Sequence, residues 1–140
     1  MSDRRYEVRF TAPVGEACTG VFTLKDKPGD VCCLELSLDG HNYASEERDF
    51  FDALQEIRRE LEQVSILPIC YGACENAWPS GMARDMARGC VVYLTEMGVS
   101  GGKRVGTFDS DQNTVPATVE KQIDFHHRWM GSWIEKSESA

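Results

Sequence analysis

The amino-acid sequence predicts an α+β domain in which helices pack on one face of an antiparallel or mixed β-sheet of about six strands. The strands are indicated by alternating apolar and polar residues in the first third of the chain and by short apolar runs at 65–71 and 90–94. The helices are indicated by apolar residues that recur every three or four positions at 50–64 and 119–133. The expected order of elements is βββ-α-β-α-ββ-α.

The first three strands are expected to form an antiparallel meander. Apolar residues alternate with charged ones from Tyr6 to Phe10, which predicts a half-buried strand. Two more strands are expected at 19–24 and 31–38. Short polar turns, including one at 13–16, separate these runs, and short turns favour antiparallel neighbours.

The first helix is predicted from a row of apolar residues with helical spacing, namely Phe50, Leu54, Ile57, Leu61 and Val64. Ser45 is expected to cap its N-terminus, because the acidic residues that follow suit the positive end of a helix. Arg58 is assigned to the solvated outer face of this helix, together with Asp52 and Glu56.

The stretch from Leu67 to Tyr93 is expected to hold a strand, a loop, a second helix and a further strand. Pro79 is placed at the first position of that helix, where its missing N–H is tolerated, and Gly89 is expected to end it. Pro116 is expected to begin the last helix in the same way. The inner face of the last helix is predicted from Val119, Ile123, His126, Met130 and Trp133.

Length and composition predict one globular domain over residues 1–136, followed by a flexible tail at 137–140. The net charge is -8, which argues against binding to nucleic acid or to an anionic membrane surface. We expect a cytoplasmic protein, since the N-terminus has no signal-peptide pattern and no apolar run is long enough to span a membrane. The six cysteines are therefore expected to be reduced core residues.

Cys70 and Cys74 are the candidate nucleophiles for an alternative function, that of a small cysteine-dependent enzyme. A catalytic thiol needs a lowered pKa and a neighbouring base, and the three histidines all lie far from these cysteines in the sequence. A free cysteine is more often a small, buried and unreactive core residue. The sequence therefore predicts a protein that is not an enzyme, with no catalytic residue.

No metal site or cofactor is expected. Asp109, Asp111 and Asn113 have the spacing of a calcium loop, but Thr114 occupies the position where the sharp turn requires glycine. A predicted glycine-rich turn at 97–102 is followed by Lys103, yet its spacing does not match a phosphate-binding loop. The cysteines lack the paired spacing of a zinc site.

The remaining polar and aromatic residues suggest contact with a protein partner. Trp78 lies in a loop next to a proline, and a tryptophan in such a position either fills the core or anchors a partner. Arg84 and Arg88 are four residues apart on the second helix, and their guanidinium groups suit a partner's carboxylates. The predicted partner-binding residues are Trp78, Asn76, Glu75, Arg84, Arg88, Asp52 and Glu56.

One motif resembles a pattern found in small uncharacterised bacterial proteins, similar in style to the immunity proteins of polymorphic toxin systems. It consists of Tyr71-Gly72, Asn76, Trp78-Pro79-Ser80-Gly81-Met82, Met86, Gly89 and Tyr93. The resemblance implies a cytosolic protein that binds and blocks a toxin domain encoded by a neighbouring gene. No catalytic residue follows from it. A plain interaction module, dimeric through its last helix, is a further alternative.

Overall fold

The α+β fold is confirmed in a computed structural model that describes residues 3–12 and 18–138, with side chains up to residue 134. The strands are β1 (Arg4–Phe10), β2 (Cys18–Lys27), β3 (Val31–Leu38), β4 (His41–Glu47), β5 (Pro68–Ile69), β6 (Ala77–Trp78), β7 (Val91–Glu96) and β8 (Val99–Gly106). The helices are α1 (Phe50–Glu62), α2 (Gly81–Met86) and α3 (Val119–Glu138), with a single 3-10 turn at Tyr71–Ala73. The predicted turn at 13–16 lies outside the described residues.

The strands form two sheets. A curled antiparallel sheet of five strands has the order β4-β3-β2-β1-β5, and a second antiparallel sheet of three strands has the order β6-β7-β8. Phe22 lies opposite Tyr6 on one side and Leu36 on the other, so apolar residues share one face of the first sheet. No helix in the described ranges is both long and apolar enough to cross a membrane.

Helix α1 packs its apolar face on the first sheet, and Phe50, Leu54, Ile57 and Leu61 are fully buried as expected. The prediction for Val64 is wrong, because α1 ends at Glu62 and Val64 is 53% exposed beyond it. The prediction that Ser45 caps this helix is wrong, because Ser45 lies in β4 opposite Leu34. The cap is Asp49, whose side chain accepts a hydrogen bond from the backbone N–H of Asp52. The polar sequence of β4 resembles a capped helix start, since this edge strand buries little apolar surface.

Both prolines that were expected to begin helices lie before them. Pro79 precedes Ser80, whose hydroxyl accepts a hydrogen bond from the backbone of Ala83 and so caps α2. Pro116 forms an isolated bridge with Cys74, and this pairing keeps the chain extended until α3 begins at Val119. The tertiary contact outweighs the local preference of proline for the first helical turn.

The glycine-rich segment at 97–102 is mostly strand. The turn is confined to the residues before Val99, where β8 begins, and β8 pairs with β7 through a register shift near Thr95. A Cβ at Gly102 would clash with the carbonyl oxygen of Leu94. Glycine at position 102 therefore permits the close approach of the two strands.

Candidate protein-binding site

An aromatic stack joins the second sheet to helix α3. The rings of Trp78 in β6 and His126 in α3 lie face to face, with centroids 4.1 Å apart and planes 10° apart. Trp129 continues the row at 5.8 Å from His126, and Trp133 follows at 5.7 Å from Trp129. We call Trp78, His126 and Trp129 the aromatic stack.

Arg84 in α2 covers the stack and is itself held by two carboxylates. Its Nη1 lies 2.8 Å from Asp49 Oδ2 and 2.8 Å from Asp52 Oδ1. Its guanidinium lies 5.4 Å from the ring centre of Phe51 and 5.7 Å from that of Trp78. Burial lowers the pKa of Arg84, but the hydrogen bonds to Asp52 and Asp49 outweigh it and raise the pKa. The cation is therefore fixed in place over the aromatic rings.

A groove of about 480 Å³ opens beside the stack, which is within the size range of ligand sites. Its walls are mainly aromatic and apolar, with contributions from Trp78, Tyr93, Trp129 and Met130. Arg84 is the charged residue in the lining, and no carboxylate lines it within the described ranges. The groove, which we call the aromatic groove, suits an uncharged apolar or aromatic group.

The local sequence explains why these side chains meet. Trp78 pairs with Tyr93 across β6 and β7, so that both side chains lie on the same face of the sheet. His126, Trp129 and Met130 are three and four residues apart on α3 and share one side of the helix. The indole N–H of Trp129 donates to the carbonyl of Val99 at 2.8 Å, which ties α3 to β8.

A buried polar network formed by Arg58, Gln122 and Gln55 joins α1 to α3. Arg58 is fully buried, so its assignment to the outer face of α1 is wrong. Its guanidinium donates to the side-chain oxygen of Gln122 at 2.6 Å and to the carbonyl of Ala117 at 2.9 Å. Gln55 also donates to the Gln122 oxygen, at 3.1 Å. Burial lowers the pKa of Arg58 to about 10, because the charged form is poorly solvated.

The same network holds the loop that leads to Trp78. The side-chain amide of Gln122 lies 2.8 Å from the carbonyl of Gly72, 2.9 Å from that of Cys74 and 3.0 Å from that of Ala77. These carbonyls belong to the segment between β5 and β6, which forms little regular structure of its own. Side chains on α1 and α3 therefore fix the backbone that presents Trp78.

Three predicted partner-binding residues come together at the site: Trp78, Arg84 and Asp52. Arg88 lies nearby and lines, with Arg84 and Asp52, a charged hollow of about 800 Å³. Its guanidinium is 3.6 Å from Asp26, a long ion pair on a partly exposed surface. The contribution of these residues to partner binding stays a prediction.

The other three predicted residues lie apart from the groove. The side-chain amide of Asn76 donates to the carbonyl of Thr95 at 3.0 Å and so supports the end of β7. Glu75 is exposed and lies 3.9 Å from Arg128. Glu56 is exposed on α1 and pairs with Arg59 one turn later. Glu75 and Glu56 therefore remain available on the surface, whereas the Asn76 amide is engaged within the fold.

The cysteines of the alternative function lie in a poor environment for a nucleophile. Cys70 is fully buried, and burial raises the pKa of its thiol to about 12. Burial also raises the pKa of Cys74, whose thiol lies 3.8 Å from the Cys70 carbonyl. Among the described residues, no hydrogen bond joins either thiol to a histidine. Both groups would be almost entirely protonated at neutral pH.

Two residues that organise the site, Arg58 and Gln122, were missed by sequence reasoning. Each is a polar residue on an apolar helix stripe: Arg58 lies four positions after Leu54, and Gln122 three positions after Val119. A polar residue on an apolar stripe is the sequence feature that could have identified both residues. The sequence does not show what such a residue binds, because the carbonyl groups are distant in sequence and only the fold brings them near.

Comparison of the sequence with models of known protein families and with curated proteins finds no match. An α+β fold by itself implies no function, and the chemistry of the site decides what this chain can bind. The distinctive features of the site are the aromatic groove and Arg84, which two carboxylates hold beside it.

Proposed function

We propose that the protein is a cytosolic binding protein of the immunity or antitoxin kind, which neutralises a bacterial toxin domain by direct contact. The aromatic groove is the observation that carries the proposal. It places two tryptophans, a tyrosine and an exposed methionine around a cavity that an apolar side chain of a partner can fill. Tryptophan and tyrosine are the residues that most often dominate the binding energy of protein interfaces.

The rigidity of the groove supports the same proposal. Trp78 is stacked on His126, and Arg84 is fixed by Asp49 and Asp52. Side chains that are already ordered lose little conformational entropy when a partner binds. A preformed groove of this kind favours tight association over adaptable, weak contact.

The charge of the chain is consistent with a protein partner. The net charge is -8, and Asp52 and Glu56 expose carboxylates on α1. Complementary charge on a partner would speed association and help to exclude other proteins. The proposed partner is a toxin domain encoded by a neighbouring gene, as the motif around Trp78 implies.

The test is co-expression with the product of the adjacent gene, followed by calorimetric measurement of the dissociation constant. Met130→Glu places a charge in the groove at a residue that is 41% exposed, and we expect binding to weaken by roughly tenfold or more. Met86→Glu is the matched control, because Met86 is 79% exposed and lies outside the groove lining. Equal affinities for the two variants, or no binding of the wild-type chain at about micromolar concentration, would contradict the proposal.

A further inference from the structure

Besides the aromatic groove, the protein exposes the outer edge of the second sheet. β8 is the last strand in the order β6-β7-β8, and its first six residues are all exposed. An edge strand carries backbone N–H and C=O groups that another extended chain can pair with. In the described part of the molecule, no strand lies on this side of β8.

The hydrogen-bond pattern shows which groups face outward. The N–H of Thr107 donates to the carbonyl of Cys90, so the bonded positions on β8 continue at Val105 and Lys103. The N–H of Thr95 donates to Asn76, away from β8, which agrees with this alternation. The backbone groups of Gly102 and Arg104 therefore point away from the sheet.

The free part of the edge is short and has defined ends. At one end the carbonyl of Val99 is occupied by the indole of Trp129. At the other end the carbonyl of Gly106 accepts a hydrogen bond from Asp109. Between them, Gly101 and Gly102 have no side chains to obstruct an approaching backbone.

The charge on this edge is opposite to that of the chain as a whole. Lys103 and Arg104 are both exposed, and neither forms an ion pair with the described residues. Arg104 lies opposite Tyr93 and so shares the face of the sheet that forms the groove. Lys103, its neighbour in the strand, points to the other face.

We propose that β8 receives an extended acidic segment of the protein partner, which adds a fourth strand to the second sheet. The segment pairs with the outward groups of Gly102 and Arg104, and its carboxylates meet the Lys103 ammonium and the Arg104 guanidinium. An apolar side chain of the same segment enters the aromatic groove, whose lining includes Gly101 and Gly102. Backbone pairing supplies affinity and the side-chain contacts supply specificity.

The inference rests on the proposed function for the existence of a protein partner and adds how that partner is held. The required acidity belongs to the segment at β8 and is independent of the partner's net charge. Pairing at two outward residues provides up to four backbone hydrogen bonds, since each residue has one donor and one acceptor. The groove and the cations are then needed to select the segment.

The experiment uses the complex with the product of the adjacent gene. The double variant Lys103→Glu/Arg104→Glu reverses the charge of the edge, and we expect the dissociation constant to rise by roughly tenfold or more. The matched control is Arg5→Glu/Lys121→Glu, which changes the net charge equally at two exposed residues on β1 and α3. For the control we expect a change within about threefold, because those residues lie outside the groove and the edge.

Amide hydrogen exchange reports the backbone pairing directly. We expect the amides of Gly102 and Arg104 to exchange at least roughly tenfold more slowly in the complex than in the free chain. The amides of Lys103 and Val105 face β7 and serve as internal references, since they are hydrogen-bonded in both states.

The outcomes separate the two proposals. A stable complex whose Gly102 and Arg104 amides remain unprotected would show that strand addition is wrong while the proposed function stands, whatever the charge reversal does. A stable complex that tolerates the charge reversal would show that the segment is not acidic. If the wild-type chain forms no complex, the proposed function and this inference both fail.

Discussion

The guanidinium of Arg58 donates a hydrogen bond to the side-chain oxygen of Gln122 at 2.6 Å, and both residues are fully buried. The bond joins α1 to α3, which lie far apart in the sequence. The side-chain amide of Gln122 in turn lies within hydrogen-bond distance of the carbonyls of Gly72, Cys74 and Ala77. A buried cation that binds backbone carbonyls and an amide is therefore the link between the core and the loop that leads to Trp78.

Replacing Arg58 should destabilise the fold. In Arg58→Met the carbonyl of Ala117 loses its donor, and a buried group without a partner costs about 1–3 kcal/mol. The loss of the buried charge offsets part of this cost. We expect a net decrease of about 2 kcal/mol in the free energy of unfolding, measured by urea denaturation. Arg59→Met is the control, because Arg59 is exposed, and a similar loss there would contradict the role assigned to Arg58.

Asp49 combines a helix cap with an ion pair, and two substitutions can separate them. Asp49→Asn retains an oxygen for the N–H of Asp52 but weakens the contact with Arg84. Asp49→Ala removes both, and loss of the cap alone costs about 1 kcal/mol. We therefore expect the alanine variant to be the less stable in thermal denaturation. Equal stability of the two variants would show that the cap contributes nothing.

The Cys70 thiol should be inert and should lower stability at high pH. Its pKa is raised to about 12 in the folded protein, above the ordinary value of 9.0. The unfolded chain therefore loses this proton first, so stability falls as the pH rises from 9.0 towards 12. We expect Cys70→Ala to reduce that slope in denaturation experiments.

Alkylation by iodoacetamide provides an independent check on the thiols. At about pH 8 we expect Cys70 to react far more slowly than the partly exposed Cys18, when the sites are separated by peptide mass spectrometry. Rapid modification of Cys70 in the folded protein would contradict its buried environment. It would also favour the cysteine-dependent enzyme over a binding protein.

His126 should make the stability of the aromatic stack depend on pH. Burial lowers the pKa of its imidazole, and the charges of His127 and Arg84 lower it further. The folded state thus binds this proton less readily than the unfolded chain, so stability falls as the pH drops below 6.5.

His126→Phe tests this dependence because phenylalanine can keep the stack with Trp78. We expect the variant to lose less stability than the wild type between about pH 7.5 and pH 5, followed by tryptophan fluorescence in urea. His41→Gln is the comparison variant, since His41 is exposed and lies on β4 in the other sheet, and we expect its pH profile to match the wild type. Identical pH profiles for the wild type and His126→Phe would contradict a role for the imidazole.

The sequence by itself determined the class of fold, much of the first sheet and the helix α1 that packs on it. Alternation from Tyr6 to Phe10 and the apolar row from Phe50 to Leu61 correspond to β1 and α1, because local periodicity states which face of an element is buried. The short polar segments between the apolar runs predicted antiparallel neighbours, and the pairing of β2 with β1 and β3 confirms this order. The size of Trp78 and the adjacent proline also predict a contact residue, and this stays a prediction; the expected loop position is wrong, since Trp78 lies in β6.

Only the tertiary structure decided how these elements form a site. The division into two sheets, the burial of Arg58 and the stacking of Trp78 on His126 all depend on pairs of residues that are distant in the chain. Local patterns carry no information about such pairs, and a polar residue on an apolar stripe has the same sequence signature whether it meets carbonyls or water. The physical reason is that burial and hydrogen bonding are properties of the assembled fold.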